Sequence, residues 1–381
     1  MGRVLGVIGG GQLGRMLAEA ARNLPDEISE IIVLDPTKGC PAAQAGAAQI
    51  VADFRDRGAI EELARRSDII TYEIESGDGD VLKEMERHAS INPSPHTLKT
   101  VQDKLLQKRE LSQNGIGVAE FHAVESVEGL RESIREFGYP VLLKARRDAY
   151  DGRGNYKIDS PEEIQRAYEY FGHQKLMVER FVPFRMEVSV IAARSTSGEI
   201  AAYPLVENIH EDSILRITIA PARVSGTIAE DAASLAEKTL RVLRGAGVFG
   251  IEMFLTRDDQ LLINEIAPRV HNSGHHTLQS SRTSQFEQHL RAIMGLPLGS
   301  TDLVHPTIMY NILGSAGYEG GYAVNEPKIE GTFLKMYGKA IAKPKRKMGH
   351  INIVAGDSEG IADLLGKLDQ VRRLPVIEPA G

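Results

Sequence analysis

Residues 4–8 form an apolar run, and Leu13, Met16, Leu17 and Ala20 recur downstream at helical spacing, with Gly9-Gly10-Gly11-Gln12-Leu13-Gly14 between the two. This turn constrains the fold more than any other feature, because a strand that passes at once into a helix needs a parallel neighbour on which that helix can pack. The rhythm continues accordingly. Residues 30–34 read as a second strand ending at Asp35, residues 60–66 as a helix and residues 68–74 as a third strand. The alternation predicts a Rossmann-like α/β unit that closes at the proline-punctuated Ile91-Asn92-Pro93-Ser94-Pro95. Gly9, Gly11 and Gly14, followed by Asp35, also match a dinucleotide fingerprint. The same turn serves other anionic ligands, or none, so a nicotinamide cofactor, another anion and a structural turn all stand at this point.

Beyond the connector the pattern changes to α+β. A helix is expected over residues 95–114 with Gly115 as its stop, then strands over 139–145 and 155–158 around a polar glycine-rich loop. Ser160-Pro161-Glu162-Glu163 reads as a helix start with serine as cap. Strands over 176–180 and 187–192 suggest antiparallel pairing, and a long helix over 228–244 leads to strands over 248–255 and 260–266. Residues 377–381 read as a tail. At about 150 residues per domain, 381 residues make two or three.

Composition narrows the partners. A net charge of −7 argues against binding nucleic acid or a membrane surface through the whole surface, so an anionic ligand needs a local cluster of donors. The single cysteine, Cys40, excludes an internal disulfide framework and a cysteine-built metal cluster. No apolar run approaches the roughly 18 residues of a membrane span, and Met1-Gly2-Arg3-Val4 enters a strand without a cleavable signal pattern. A cytoplasmic enzyme is the expectation.

Three clusters carry chemistry. Lys144 closes a strand, and Asp148-Ala149-Tyr150-Asp151-Gly152-Arg153-Gly154-Asn155 follows as a loop, readable as a surface hairpin or as a flap whose glycines free backbone N–H groups for phosphate oxygens. Glu252 and Glu265 sit in two apolar strands; a buried carboxylate needs a cation or firm hydrogen bonds, and with Asn264 the pair suits Mg²⁺ or an arginine partner. In Ala267-Pro268-Arg269-Val270-His271-Asn272-Ser273-Gly274-His275-His276, Arg269 and His271 alternate toward one side and suit a phosphate or carboxylate better than a zinc site. Lys335, Lys339, Lys343, Lys345, Arg346 and Lys347 form an acid-free stretch, readable as a solvated hairpin, a phosphate site or a nucleic-acid patch.

These strings, in this order, resemble the ATP-grasp fold, and with Thr283-Ser284-Gln285-Phe286-Glu287 and Lys347-Met348-Gly349-His350 they resemble its 5-(carboxyamino)imidazole ribonucleotide synthetases. The likeness spans residues 4–353, and Ala149-Tyr150 and the Lys347 string are closer to the fungal form, whose fused mutase domain this chain is too short to contain. The resemblance implies a Rossmann-like domain over residues 1–95, a small lid domain over 96–185 and a C-terminal α+β domain over 186–381. It implies ATP-driven carboxylation of 5-aminoimidazole ribonucleotide by bicarbonate through carboxyphosphate, with Mg²⁺ on Glu252 and Glu265, in a homodimer. For ATP it implies Lys104, Lys144, Gly152, Gly154, Glu179, Val182, Glu187, His210 and Asn264. Tyr150, Asp151, Arg153, Arg269, His271 and Asn272 fall in the bicarbonate and substrate region. Gly11, Gln12, Leu13, Glu73, Arg346 and Lys347 fall on the ribonucleotide, with Glu73 preferred over Glu75 for its amine. Ser76-Gly77-Asp78 departs from the Asn or His and apolar residue expected there. The formate-using glycinamide ribonucleotide transformylases are the nearest alternative within the fold.

Overall fold

A computed structural model of the chain describes residues 2–148 and 154–380. The first sheet is parallel, with strands β1 (Arg3–Ile8), β2 (Ile28–Leu34), β3 (Ala48–Ile50), β4 (Ile69–Tyr72) and β5 (Ser90–Ile91) in the order β3-β2-β1-β4-β5. Helices α1 (Gln12–Ala20), α2 (Pro41–Gln44), α3 (Arg57–Arg66) and α4 (Gly79–Met85) connect them. Strand order reverses between β1 and β4, so the crevice where such sheets receive ligands opens beside the glycine turn. Asp78, in the segment that departs from the family pattern, accepts the Asp80 and Val81 N–H groups and caps α4.

The helix expected over residues 95–114 is two helices, α5 (Pro95–Gln102) and α6 (Lys104–Gln113). Asp103 between them is extended, and its carboxylate accepts the Leu105 N–H at 3.1 Å and an Arg146 guanidinium N–H at 2.6 Å. A cap and a nearly buried ion pair outweigh one more turn of continuous helix. Gly115, at φ +66°, follows the end of α6.

The second sheet is antiparallel, β6 (Phe121–Val124), β9 (Leu176–Arg180), β7 (Val141–Ala145) and β8 (Asn155–Ile158) in that order, covered by α7 (Val127–Phe137) and α8 (Ile164–Tyr170). Ser160 makes no capping hydrogen bond; residues 161–163 form a 3₁₀ turn, and the Glu163 carboxylate accepts the Asp159 N–H at 2.8 Å instead.

The large third sheet runs β15 (Leu261–Ala267), β14 (Gly247–Thr256), β10 (Phe184–Arg194), β12 (Val206–Glu211), β13 (Ile214–Ala220), β16 (Thr307–Leu313), β19 (Lys347–Val354), β18 (Thr332–Met336), with β11 (Ile200–Ala202) on β10. Helix α9 (Gly226–Leu243) packs Ala232, Ala236 and Leu240 onto Val188, Val190 and Ile251, while α10 (Thr277–Ser280) and α11 (Gln285–Met294) pack toward the first sheet and α12 (Ile361–Arg372) covers β16. Residues 377–381 are not simply a tail: β20 (Ile377–Pro379) pairs with β17 (Tyr322–Val324), because Val376 and Ile377 are apolar enough to join the core. His289 on α11 is buried, accepts the Val248 N–H at 3.0 Å through Nδ1 and sits 2.8 Å from the Thr71 hydroxyl through Nε2, joining the first and third sheets. No helix of the described residues is long and apolar enough to cross a membrane.

Candidate active site

A cleft of about 1860 Å³ opens where the three sheets meet. Its walls are the glycine turn with residues 73–80, the ends of β7 and β9, the faces of β10, β12, β14 and β15, and the loop over residues 343–347.

Two lysines flank a buried glutamate at one end. Glu179, at the end of β9, is 2% exposed, with Lys144 Nζ 2.9 Å from one carboxylate oxygen and Lys108 Nζ 3.3 Å from the other. Burial would raise this carboxyl, but the two ammonium groups hold it below its ordinary value. Lys108 is one of the residues that sequence reading missed. It lies one turn beyond Lys104 on α6, so helical spacing could have found it. Val182 and Phe184 line the same end, and the Val182 carbonyl accepts the Phe184 N–H. Glu187 and His210 form an ion pair at 3.3 Å, and despite burial the Glu187 carboxylate holds the imidazole above its usual range.

Strand register brings the two strand acids together. Glu252 on β14 lies directly opposite Glu265 on β15, with Asn264 beside them in the cleft wall. Lys104 Nζ is 2.5 Å from Glu265 and holds that carboxyl low against the effect of burial. Among the described residues, the side chain that the structure pairs with Glu252 is His271 rather than a lysine or arginine. Burial pushes the Glu252 carboxyl up to about 7, His210 opposes this, and the neighbouring charges of Glu265 and Glu187 add to it. Facing carboxylates, one neutralised by lysine and the other destabilised as an anion, are a donor set that fits a divalent cation.

The segment after β15 carries Arg269 and His271 into the cleft. Arg269 Nε lies 2.9 Å from Glu75, so Glu75 serves as an arginine partner rather than facing the glycine turn. His271 Nε2 is 3.5 Å from Glu252. Burial drives its imidazole well below the ordinary range, and Arg269 adds to this, so the ring is neutral. Gly250 makes the ring's position possible, since a Cβ there would stand 2.5 Å from His271 Cβ and Cγ. The Gln285 side chain clamps the His271 peptide, accepting its N–H at 2.9 Å and donating to its carbonyl at 2.7 Å. Asn272 and Asn311 exchange side-chain amide hydrogen bonds at 3.1 and 2.6 Å, which ties much of the Asn272 amide to β16. His275 and His276 are buried and bond Gln285 and Ser280.

At the glycine turn the donors that a dinucleotide phosphate would use are already engaged. Glu73 accepts the N–H groups of Gly11 at 2.6 Å, Leu13 at 3.0 Å and Gly14 at 2.9 Å, and Asp35 accepts that of Gly10 at 2.9 Å. Asp35 therefore braces the turn, and the nicotinamide reading loses both its phosphate donors and its ribose acid. Burial raises the Glu73 carboxyl above its ordinary value, and the Gly14 and Gly11 N–H groups offset only part of this. A Cβ at Gly11 would stand 2.7 Å from Glu73 Oε1, so the close approach of that carboxylate requires glycine. Gln12 and Leu13 line the cleft.

The basic stretch is less free than its sequence suggests. Lys335 pairs with Glu19, Lys343 with Glu319 and Lys345 with Asp212, acids supplied from elsewhere in the chain. Arg346 donates to the Ile341 carbonyl at 3.0 Å, and both Arg346 and Lys347 line the cleft. Gly154 belongs to the glycine-rich loop, and its carbonyl accepts the Ala145 N–H at 2.8 Å. Tyr150, Asp151, Gly152 and Arg153 lie outside the described residues.

Comparison with known proteins covers nearly the whole chain. Residues 1–102 match the ribonucleotide synthetase preATP-grasp domain, residues 109–286 the ATP-grasp domain, and residues 307–363 the phosphoribosylaminoimidazole carboxylase C-terminal domain. The N5-carboxyaminoimidazole ribonucleotide synthase of Bacillus subtilis is 41% identical over 368 residues, covering 96% of this chain and 95% of that protein. The phosphoribosylaminoimidazole carboxylase of Schizosaccharomyces pombe is 43% identical over 364 residues; 93% of this chain is covered, but only 65% of the yeast protein. A solved structure of N5-carboxyaminoimidazole synthase from Aspergillus clavatus, in complex with ADP and 5-aminoimidazole ribonucleotide, superposes with a TM-score of 0.88 at 37% identity, covering 98% of this chain and 99% of that one.

Proposed function

The chain belongs to the N5-carboxyaminoimidazole ribonucleotide synthase family of ATP-grasp ligases, and from that membership we propose that it uses ATP and bicarbonate to carboxylate the exocyclic amine of 5-aminoimidazole ribonucleotide. ADP, phosphate and the carboxyamino ribonucleotide are the products. The observation that carries this reading is the facing Glu252–Glu265 pair in one cleft, with Lys104 and Lys144 on its nucleotide side and Arg269 and His271 on the other. A nicotinamide enzyme has no use for that pair.

In this reading Lys144 and Lys104 meet the ATP phosphates, Glu187 the ribose hydroxyls, and Glu179 and Val182 frame the adenine. Glu252 and Glu265 would hold Mg²⁺, which when bound neutralises charge on the transferred phosphoryl group. A bicarbonate oxygen attacks the γ-phosphorus, the bond to the β-phosphate oxygen breaks, and ADP leaves. Arg269 steadies the anionic carboxyphosphate, with Asn272 beside it, and neutral His271 offers it a hydrogen-bond donor. The substrate amine then attacks the carboxyl carbon and phosphate departs, taking up the amine proton, or carboxyphosphate first splits into CO₂ and phosphate, the amine attacks the CO₂ and its proton passes to that phosphate. Carboxyphosphate hydrolyses readily, so water must be kept out; the loop with Tyr150, Asp151, Gly152, Arg153 and Gly154 belongs to that task. Arg346 and Lys347 receive the ribonucleotide phosphate, near Gly11, Gln12 and Leu13. Glu73, which organises the glycine turn, stands toward the amine. The division into residues 1–95, 96–185 and 186–381, a homodimeric state and a cytoplasmic location belong to the same proposal.

Phosphate release from ATP, Mg²⁺ and bicarbonate tests the substrate assignment. The expected result is strong stimulation by 5-aminoimidazole ribonucleotide. Stimulation by glycinamide ribonucleotide with formate, and none by aminoimidazole ribonucleotide, would overturn it.

A further inference from the structure

A line of buried hydrogen bonds runs away from His271 into the third sheet. The Thr218 hydroxyl on β13 donates to Asn208 Oδ1 on β12 at 3.0 Å, and Asn208 Nδ2 donates to the Ser189 hydroxyl on β10 at 2.8 Å. Ser189 donates to the Ser273 hydroxyl at 2.9 Å, and Ser273 Oγ lies 2.9 Å from His271 Nδ1. Thr218, Ser189 and Ser273 are 0% exposed and Asn208 is 5% exposed. The strands are in register for it, Asn208 standing opposite Thr218.

The donor sense of this line follows from the Asn208 amide, whose Oδ1 faces Thr218 and whose Nδ2 faces Ser189. A side-chain carbonyl can only accept and an amide NH₂ can only donate, so Asn208 passes a donor to Ser189. Ser189 then spends its own proton on Ser273, and Ser273, already an acceptor, has its proton left for His271 Nδ1. A second donor reaches the same nitrogen, because the Ser273 backbone N–H points at Nδ1 from 3.4 Å. A backbone N–H has no other role. A protonated Nδ1 would face that N–H and would leave the Ser273 hydroxyl proton without an acceptor in a buried place, at a cost of about 1–3 kcal/mol.

We propose that Thr218, Asn208, Ser189 and Ser273 form a one-way relay that holds His271 as the Nε2–H tautomer, so that this ring serves the site as a hydrogen-bond donor and not as a base. Its relevance to catalysis rests on the reading above that His271 serves the carboxylation; the tautomer itself does not. Nε2 faces Glu252 Oε1 at 3.5 Å, and in this tautomer it offers a proton to a carboxylate or to an anionic bicarbonate-derived group. Neither nitrogen can take a proton from the substrate amine, Nδ1 being filled by its two donors. Ser273, Ser189 and Asn208 are positioning residues. They act on the reacting groups only through His271, and they would be read as ordinary core polar residues from sequence.

The test is nitrogen NMR of the full chain labelled with ¹⁵N-histidine, with the His271 signals assigned by their loss in His271→Asn. The expected result is one tautomer, with a pyrrole-type Nε2 and a pyridine-type Nδ1. In Ser273→Ala, and more weakly in Ser189→Ala, a second tautomer is expected to become populated. For Ser273→Ala kcat is expected to fall about tenfold with KM for ATP unchanged, the lower end of the range for hydrogen-bond partners of metal-bound histidines. A pyrrole-type Nδ1 in the unaltered chain would overturn the proposal, whatever the variants do. So would a folded Ser273→Ala that keeps the single tautomer and full kcat. If His271→Asn itself retained full carboxylation, the catalytic reading of His271 would fail while the tautomer measurement stood.

Discussion

Replacing Glu179 with glutamine removes the one negative charge held between two buried lysines. Its carboxylate oxygens lie 3.3 Å from Lys108 and 2.9 Å from Lys144, and the lysines are 2% and 6% exposed. Deleting one partner of a buried pair costs about 3–5 kcal/mol, because the other charge is left without compensation. Deprotonation sets a ceiling: at pH 7 a lysine of ordinary pKa near 10.4 can shed its proton for about 5 kcal/mol. Burial already pulls Lys108 below its ordinary value, Glu179 opposes this and Lys144 adds to it, so Lys108 is the side chain that gives way. We expect Glu179→Gln to lose about 4 kcal/mol in urea unfolding at pH 7. Lys108→Met alone should cost far less, since Lys144 keeps its partner. The double variant should recover more than about 1 kcal/mol relative to Glu179→Gln, a coupling typical of side chains in contact. The pH dependence has a definite sign. A lysine with a lowered folded pKa destabilises fully below that pKa and ceases to do so as pH rises through its unfolded value. The Glu179→Gln deficit should therefore shrink between pH 7 and pH 9, by up to about 1.4 kcal/mol per unit. A deficit independent of pH, or a double variant no better than the sum of the singles, would refute the reasoning.

Burial holds His276, His289 and His350 at about 3, so folding favours their neutral rings, and that stability is complete above the ordinary value near 6.5 and lost as pH falls toward 3. Each should lose about 2 kcal/mol between pH 7 and pH 5, and thermal melts should drop steeply over that interval; a flat Tm would contradict the assignment. Gly250→Ala sets a methyl against His271 and should cost about 1–3 kcal/mol with a fall in kcat that exceeds any change in KM for ATP, checked by steady-state kinetics on folded protein. Gly11→Ala should loosen the Glu73 clamp on the first helix, raising KM for the ribonucleotide more than KM for ATP; equal effects on both would show that the turn is not on the ribonucleotide side.

What the sequence disclosed depended on whether a signal was local. The glycine turn, the strand acids and the Arg269–His271 alternation are short-range patterns, and the parallel first sheet and the facing of Glu252 and Glu265 follow from them with little help. The break at Asp103 was hidden because its cause, Arg146, is distant in sequence. The basic stretch looked like free positive charge for the same reason: Glu19, Asp212 and Glu319 reach it only in the folded chain. Ser189 and Asn208 carry no pattern of their own. Lys108 and Gln285 were within reach, the first by helical spacing and the second inside the string from Thr283 to Glu287 that supported the family resemblance.

In the proposed reaction bicarbonate, and not another acceptor, receives the γ-phosphoryl group of ATP. Turnover with ¹⁸O-bicarbonate, ATP, Mg²⁺ and 5-aminoimidazole ribonucleotide reads this directly in the mass of the phosphate released. If a bicarbonate oxygen attacks phosphorus and stays with it when the carbon–oxygen bond breaks, the phosphate carries one ¹⁸O and its formation depends on the ribonucleotide. Unlabelled phosphate accompanying formation of the carboxyamino ribonucleotide would contradict the account.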